Sequence, residues 1–448
     1  MTFYGYEIDS PVSNLCISQD DADNLANCIT YGDGIIFCSY MKSVSGKQQI
    51  FIGYSTDDGE TWTSEQVTAS AYDHYASSCA VNAAGTGLHL VYSAKGFGAT
   101  ATQKSHESII YQFRDADGVW SGETVVCQCQ NYTSYWYYNQ PSIAVDFDDN
   151  VHMVCRVAYN YNPYFSRRFW NLVYMKRTAT TSTWGNLAWL RYGYGNNRDC
   201  IRPNIQIDSY CNPHIVFVCK APTSAYNLEC YTTVWVANFQ EGLFAGWPGA
   251  IYAGYVRRDV VTELENFHVL CDKYKLASGG PGTSVAPSFH SRISLSHTYD
   301  ADTHDYPHCI YNYQISGTAY STGYYYTWRD ADGWHDEIIA AGAGDMNSPS
   351  IALNPNGKIH AIHKSVASGS TTFDYRYRDN PVLAWSTKIS VTSLYYARQM
   401  VQMYPTQSPL DSMPCSPFIA VELEGGVNKL KYYKCADVST ITGYGYFM

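Results

Sequence analysis

Apolar residues along this chain come in strand-length runs broken by turn-forming residues, and the runs recur as one phrase. A proline-led apolar strand, a short polar turn and a second apolar strand make up "QPSIAVDFDDNVHMVCRV" (140–157), "RPNIQIDSYCNPHIVFVCK" (202–220) and "SPSIALNPNGKIHAIHKS" (348–365). Looser copies are "ANCITYGDGIIFCSY" (26–40), "SSCAVNAAGTGLHLVYSA" (77–94) and "SRISLSHTYDADTHDYPHCIYNY" (291–313). The second strand often opens on a histidine: His89, His152, His214, His308 and His360. A third strand follows, then a turn and a tryptophan, in the series Trp62, Trp120, Trp184, Trp247, Trp334 and Trp385. A fourth strand follows each tryptophan, as in "SEQVT" and "ETVVCQC". Two independent markers, histidine and tryptophan, thus keep step along the chain.

Four short strands in roughly 50–60 residues, six times over, predict the blades of a β-propeller. The expected fold is therefore all-β, a single β-propeller spanning 1–448. A seventh inner pair is read in "SPFIAVELEGGVNKLKYYKC" (416–435), and "MTFYGYEI" stands ahead of the first blade without another role. Seven blades follow, with the ring closed by pairing of the N- and C-terminal strands so that no sheet edge stays open. Six blades with a terminal extension is the alternative. The Trp247–His308 interval exceeds its counterpart one blade earlier, which places an insertion at 255–285, in the connection from blade four to blade five. A long insertion of this kind suggests a lid or a docking arm.

One turn carries a stronger signature. "STDDGETW" (55–62) has Ser55, Asp57, Gly59 and Trp62 at the spacing S-x-D-x-G-x-x-W. An Asp carboxylate can accept backbone N–H groups within a turn, glycine admits a positive φ, and tryptophan can pack the corner between blades. The stretch resembles the Asp-box of BNR-repeat propellers, the sialidase-like group; "RDADGVW" (114–120) and "RDADGWH" (329–335) look like degenerate copies. The resemblance implies that the boxes fill the turns between third and fourth strands. It also implies that function sits on the opposite face, built by the 4-to-1 connections and 2-to-3 loops. A Ca²⁺ loop is the alternative for Asp57 and Asp58, but the spacing is not that of an EF-hand.

Composition narrows the function classes. The formal charge of −11 argues against a broad nucleic-acid or anionic-membrane face. No apolar run is long enough to span a bilayer. Tyrosine is abundant, with 42 residues, which suits either sugar and protein contacts or simple strand preference. The 15 cysteines, an odd number, lie mostly in apolar runs, and Cys127-x-Cys129 is poorly spaced for zinc. They read as reduced, buried hydrophobes, and the N-terminal residues do not read as a secretory signal. The expected setting is a reducing cytoplasm, with release in a virion as one route out. No cofactor and no metal are expected.

On the implied functional face the chain concentrates Arg, His, Tyr and Asn. The 4-to-1 connections supply Asp73, His74, Tyr75, Tyr137, Asn139, Gln140, Arg202 and Arg292; the 2-to-3 loops supply Arg156, Tyr159 and His363. These would form a locally basic, aromatic pocket on an acidic protein, suited to a glycan. Polar loops are also the ordinary state of loops.

Three function classes compete. The first is a non-catalytic propeller binding a cell-surface glycan, a polysaccharide or neighbouring subunits, as a phage-tail or other virion component does. The second is a polysaccharide-cleaving enzyme. A uronate lyase needs a His or Tyr base and a neutralised carboxylate, and His74, Tyr75, Tyr159, Arg156 and Arg202 are residues of the right types. A sialidase-type hydrolase fits less well, because the F/Y-R-I-P phrase implied by the resemblance is missing near the first inner strand and "CIRPN" is its nearest echo. The third is an intracellular protein-interaction scaffold. No G-x-S-x-G elbow, phosphate loop or H-E-x-x-H motif is present.

Overall fold

A computed structural model describes residues 2–12, 27–96, 107–128, 135–160, 169–185, 187–189, 199–208, 211, 213–222, 230–233, 252–258, 265–269, 291–296, 306–313, 323–330, 333–341, 349–353, 357–365, 372–391, 396–400 and 417–436. These residues contain no helix and make seven antiparallel sheets. After β1 (Thr2–Asp9), the first sheet is β2 (Ile29–Gly32), β3 (Ile35–Val44), β4 (Lys47–Ser55) and β5 (Thr63–Gln66). The second is β6 (Asp73–Val81), β7 (Leu88–Lys95), β8 (Glu107–Arg114) and β9 (Thr124–Cys127). The third is β10 (Tyr135–Val145), β11 (Val151–Asn160) and β12 (Phe169–Thr178), edged by the short β13 (Thr183–Trp184) and β14 (Ala188–Trp189). The fourth holds β15 (Asp199–Ile207), β16 (Pro213–Pro222), β17 (Cys230–Thr233), β18 (Tyr252–Arg258) and β19 (Glu265–Val269). The fifth is β20 (Ser291–Ser296), β21 (Tyr306–Tyr313), β22 (Gly323–Asp330) and β23 (Gly333–Ala341), and the sixth β24 (Ser350–Leu353), β25 (Ile359–Lys364), β26 (Phe373–Arg378) and β27 (Ile389–Val391). The seventh sets β28 (Tyr396–Met400), β29 (Phe418–Glu424) and β30 (Val427–Ala436) beside β1.

First strands pack beside first strands: β2 by β6, β6 by β10, then β15, β20, β24 and β28 in turn. Apolar clusters fill the spaces between successive sheets. One joins Phe37 and Ile52 of the first to Leu90 and Ile110 of the second; another joins Ile29 and Tyr40 of the first to Ile419 and Tyr432 of the seventh. The chain ends share the seventh sheet, with β1 as its fourth strand, from Thr2 opposite Ala436 to Glu7 opposite Lys431. This is the propeller the repeat predicts, with seven sheets.

The markers owe their regularity to buried partners. His89, His152, His308 and His360 all sit on second strands, each with Nδ1 against a third-strand tyrosine hydroxyl: Tyr111, Tyr174, Tyr326 and Tyr375. His214 instead meets Asp208 at 2.9 Å. Much of the tyrosine is therefore core. Tyr40, Tyr92, Tyr324, Tyr326, Tyr375 and Tyr432 are among the largest fully buried side chains. Trp62 packs against Tyr432, Trp120 against the first sheet and Trp184 against Tyr111, so each tryptophan reaches back to the preceding blade.

The turn 55–62 joins β4 to β5 and is scaffold. Asp57 Oδ1 accepts from the Glu60 and Thr61 amides and from Ser55 Oγ, and Trp62 Nε1 donates to the Gly59 carbonyl at 2.9 Å. These bonds, led by the Thr61 hydroxyl on Oδ2, lower the Asp57 pKa to about 2. The copy at 114–120 keeps part of the pattern, with Val119 N on Asp115 Oδ1 at 2.8 Å. The copy at 329–335 does not: Asp330 pairs Gly333, so a tight hairpin joins β22 to β23 and Trp334 lies within the strand.

Two further readings are corrected by the pairing. The inner strand of the seventh sheet is β28, so "SPFIAVELEGGVNKLKYYKC" supplies the second and third strands. In the fourth sheet β18 pairs β16 and β19 pairs β18. Residues 255–258 and 265–269 of the expected 255–285 insertion are therefore blade strands. The longer interval falls between β16 and β18, where β17 folds back on β16. Trp247 misleads as a marker because β18 follows it as a third strand rather than a fourth. Trp247 and residues 270–285 lie outside the described residues.

Asn27, just ahead of β2, ties four inner strands together. Its carbonyl accepts from Cys79 N at 2.7 Å, and its Nδ2 donates to Ile143 O at 3.0 Å and Ile205 O at 2.9 Å. Asn204 Nδ2 donates to its Oδ1 at 2.7 Å. One buried amide so bridges the first blade to the second, third and fourth.

Candidate functional site

The expected site residues occupy strand ends rather than loops. His74 and Tyr75 are on β6, Tyr137, Asn139 and Gln140 on β10, Arg202 on β15 and Arg292 on β20, all toward the 4-to-1 end; Arg156 and Tyr159 are on β11 and His363 on β25. In β6, β10 and β15 a bulge shifts the register near this end. The shifts lie between Tyr75 and Ser78, Asn139 and Ser142, and Ile201 and Asn204, the same place in three consecutive blades. Ala76 and Gln140 sit in these bulges at φ 52 and 53. Bulges re-aim side chains and are common beside binding sites.

A polar row crosses the loop end of blade two into its neighbours. Asp73 Oδ1 accepts from Gln48 N at 3.0 Å, and Lys47 Nζ lies 3.3 Å from Oδ2, which ties the row to blade one. Asp73 pairs Lys95 across the strands, and Lys95 pairs Glu107. Asn139 Nδ2 of blade three donates to Glu107 Oε2 at 2.6 Å, and Asn139 pairs Arg156. Asn139 is 4% exposed and Arg156 6%, and the Asn139 carbonyl oxygen has no partner among the described residues. Glu107 was missed by the sequence reading. Its signal was a lone carboxylate at the head of the apolar run "ESIIYQF", in register with Lys95.

The expected bases sit deeper. His74 is fully buried, with Nε2 2.7 Å from Ser70 Oγ and its ring edge-on to Tyr92. Burial lowers its pKa to about 4, with Asp73 pulling the other way. Tyr75 is also buried. His363 belongs to another part of the ring: it stacks on Tyr324 of blade five, shares its Nδ1 hydrogen with Lys364 O at 2.9 Å, and is lowered to about 4 by burial. The structure thus joins Asp73, Glu107, Asn139 and Arg156 in one row and sets His363 apart. The side chains of Tyr137, Tyr159, Arg202 and Arg292 lie outside the described residues.

Asp146, Asp148 and Cys211 bring ligand atoms within 4.8 Å of one another. Asp146 is occupied, however: it accepts from Asp148 N, Asn150 N, Asn150 Nδ2, His152 Nε2 and Lys176 Nζ. It braces a 1-to-2 turn and a buried histidine.

No protein-family model matches the sequence, and no curated protein does. Among solved structures, the polysaccharide lyase Uly1 aligns with a TM-score of 0.52 at 9% identity, covering 96% of this chain and 98% of that one. A Trypanosoma rangeli sialidase in complex with sialic acid aligns at 0.48 and 9%, covering 98% of this chain and 60% of its own, so the present chain spans only part of that enzyme. A GH93 α-L-arabinofuranosidase of Fusarium graminearum aligns at 0.46 and 12%, covering 96% and 97%. The likeness to the lyase is one of fold, and the looser two add nothing to it. All-β propeller architecture is therefore the class to which the chain is assigned.

Proposed function

We propose that this propeller takes a polysaccharide across its loop face and cleaves it there by elimination. The carrying observation is the Glu107–Asn139–Arg156 arrangement. Glu107 fixes the Asn139 amide, and Arg156 stands opposite Asn139 in the neighbouring strand. A guanidinium with adjacent polar groups suits a uronate carboxylate, which must be neutralised before the proton α to it can leave. The base removes that proton, the electron pair forms a carbon–carbon double bond, and the glycosidic C–O bond breaks to an oxygen that takes up a proton. His74 is bonded to Ser70 and Tyr75 is packed in the apolar cluster between the first two sheets, which leaves Tyr159 as base in this reading, with Arg202 as a second carboxylate partner. Hydrolysis instead takes two carboxylates flanking the bond. The described loop face offers Asp73, bound to Lys47, and Glu107, bound to Asn139, so elimination is better supplied. The fold likeness to a polysaccharide lyase accords with this reading, as does the Asp-box resemblance to glycan-acting propellers.

A second reading is favoured by the burial of His74 and Tyr75: the face binds a glycan or a neighbouring subunit without turnover, as a virion or phage-tail component made in a reducing cytoplasm does. Incubation with uronate-containing and sialylated polysaccharides separates the two. Elimination yields ultraviolet absorbance from the new double bond, lost in Arg156→Ala. New reducing ends without that absorbance would indicate hydrolysis, and binding alone the second reading.

A further inference from the structure

Away from the Asn139–Arg156 site, the β3–β4 hairpin and the connection leaving β5 enclose an open groove of about 420 Å³ on the loop face of blade one. Val44, Lys47, Gln66, Ala69 and Ser70 line it. The groove is held from below. Buried Gln49 donates Nε2 to Ser70 O at 3.1 Å and Tyr72 O at 3.0 Å, and its Oε1 accepts from Thr68 Oγ1 at 2.9 Å. The connection therefore has one conformation to offer a ligand, which limits the ordering cost of binding.

Its polar atoms have assigned directions. Ser70 Oγ accepts from Tyr72 N at 3.1 Å and lies 2.7 Å from His74 Nε2. The buried His74 Nδ1 has no partner among the described residues, and an unpaired lone pair is more easily tolerated there than an unpaired N–H. The His74 proton therefore sits on Nε2 and is donated to Ser70 Oγ. With two bonds accepted, the Ser70 hydroxyl hydrogen is left to donate outward. Lys47 Nζ is a second donor, half exposed and balanced in charge by Asp73. Gln66 gives its Nε2 to Thr68 O at 2.7 Å, which leaves its carbonyl oxygen as an acceptor.

We propose that this groove is a second saccharide subsite, taking one uncharged ring of a bound glycan. Ser70 and Lys47 donate to ring hydroxyls, Gln66 accepts from one, and Val44 and Ala69 meet the C–H face. The ring is uncharged because Asp73 already balances Lys47. The inference extends the reading that a polysaccharide lies across the loop face, but its test is separate. Saturation-transfer NMR on the full chain, with neutral xylo-, arabino-, galacto- and manno-hexaoses as probes, should show transfer to at least one. Affinity should fall about tenfold or more in Val44→Trp, which fills the groove and keeps every hydrogen bond, and in Gln66→Leu. It should hold in high salt and in Arg156→Ala. Transfer that persists in Arg156→Ala while cleavage never appears would leave the groove standing and remove the elimination reading. No transfer from any hexaose, transfer indifferent to Val44→Trp, or binding abolished by salt would overturn the groove.

Discussion

Lowering the pH should unfold this propeller before most of its carboxylates titrate. His74, His308, His360 and His363 are all buried, with exposures of 0–2%. Burial lowers His74 and His363 to about 4 and His308 and His360 to about 3. Arg378 lowers His308 further and Lys358 does the same to His360, while Asp73 and Asp374 partly restore His74 and His363. In the unfolded chain each imidazole titrates near about 6.5. Between those limits the unfolded state binds protons that the folded state refuses. Stability is therefore complete above the unfolded value and falls as pH drops through the window, levelling only below the folded values. At pH of about 5 each histidine costs about 2 kcal/mol, and the four together about 8 kcal/mol. That rivals the whole stability of a typical domain, about 5–15 kcal/mol. Urea unfolding followed by circular dichroism, from pH of about 8 to 5, should show the unfolding free energy falling, with at least about three protons taken up on unfolding near pH 5. His360→Asn should remove close to one of those protons. A flat profile over this range, or an unchanged slope in His360→Asn, would refute the idea that these imidazoles are held neutral by burial.

Asn27→Leu should destabilise by about 3–6 kcal/mol in chemical denaturation, because three buried partners lose their bonds. Asn27→Asp should be worse, since a carboxylate would face the Ile143 and Ile205 carbonyls; equal effects would refute the bridging amide. Gly59→Ala should cost about 3 kcal/mol in thermal melts, because φ is +84 and the new Cβ would clash with the Tyr432 ring. Glu337→Gln should cost about 2–3 kcal/mol by removing the counter-charge from Arg378, whose side chain is 1% exposed, and weakening the bond from Trp385 Nε1. Glu65→Gln, beside the more exposed Arg114, should cost less, and a reversed order would count against burial as the cause.

The blade repeat was legible because its markers are residues with obligatory buried partners. A second-strand histidine needs its tyrosine or aspartate, and a corner tryptophan needs the preceding blade, so neither drifts in sequence. Blade four broke the rhythm where its third strand, β18, came after Trp247 rather than before it. The same reasoning fails at the site for a different physical cause. His74 and Arg156 are both polar residues at the loop ends of strands, and composition cannot distinguish one from the other. Cross-strand register can. It places Asp73, Lys95 and Glu107 abreast and sets Asn139 of the next blade against Glu107, whereas His74 points inward and meets Ser70 and Tyr92.

That difference bears on how a polysaccharide could be held. Alternating charges in a row neutralise one another, so Lys47, Asp73, Lys95 and Glu107 give little net attraction for a polyanion. At the far end of the row Arg156 stands opposite Asn139 on blade three and brings a positive charge. A glycan with a single acidic unit among neutral ones matches such a face better than a uniformly charged chain does. The acid would sit at blade three and uncharged rings would extend toward the groove of blade one. A preference for sparsely charged over densely charged polysaccharides, measured by competition at constant ionic strength, is the expected result. Stronger binding in proportion to charge density would contradict this arrangement, because it would require the row to act as a basic strip, and Asp73 and Glu107 prevent that.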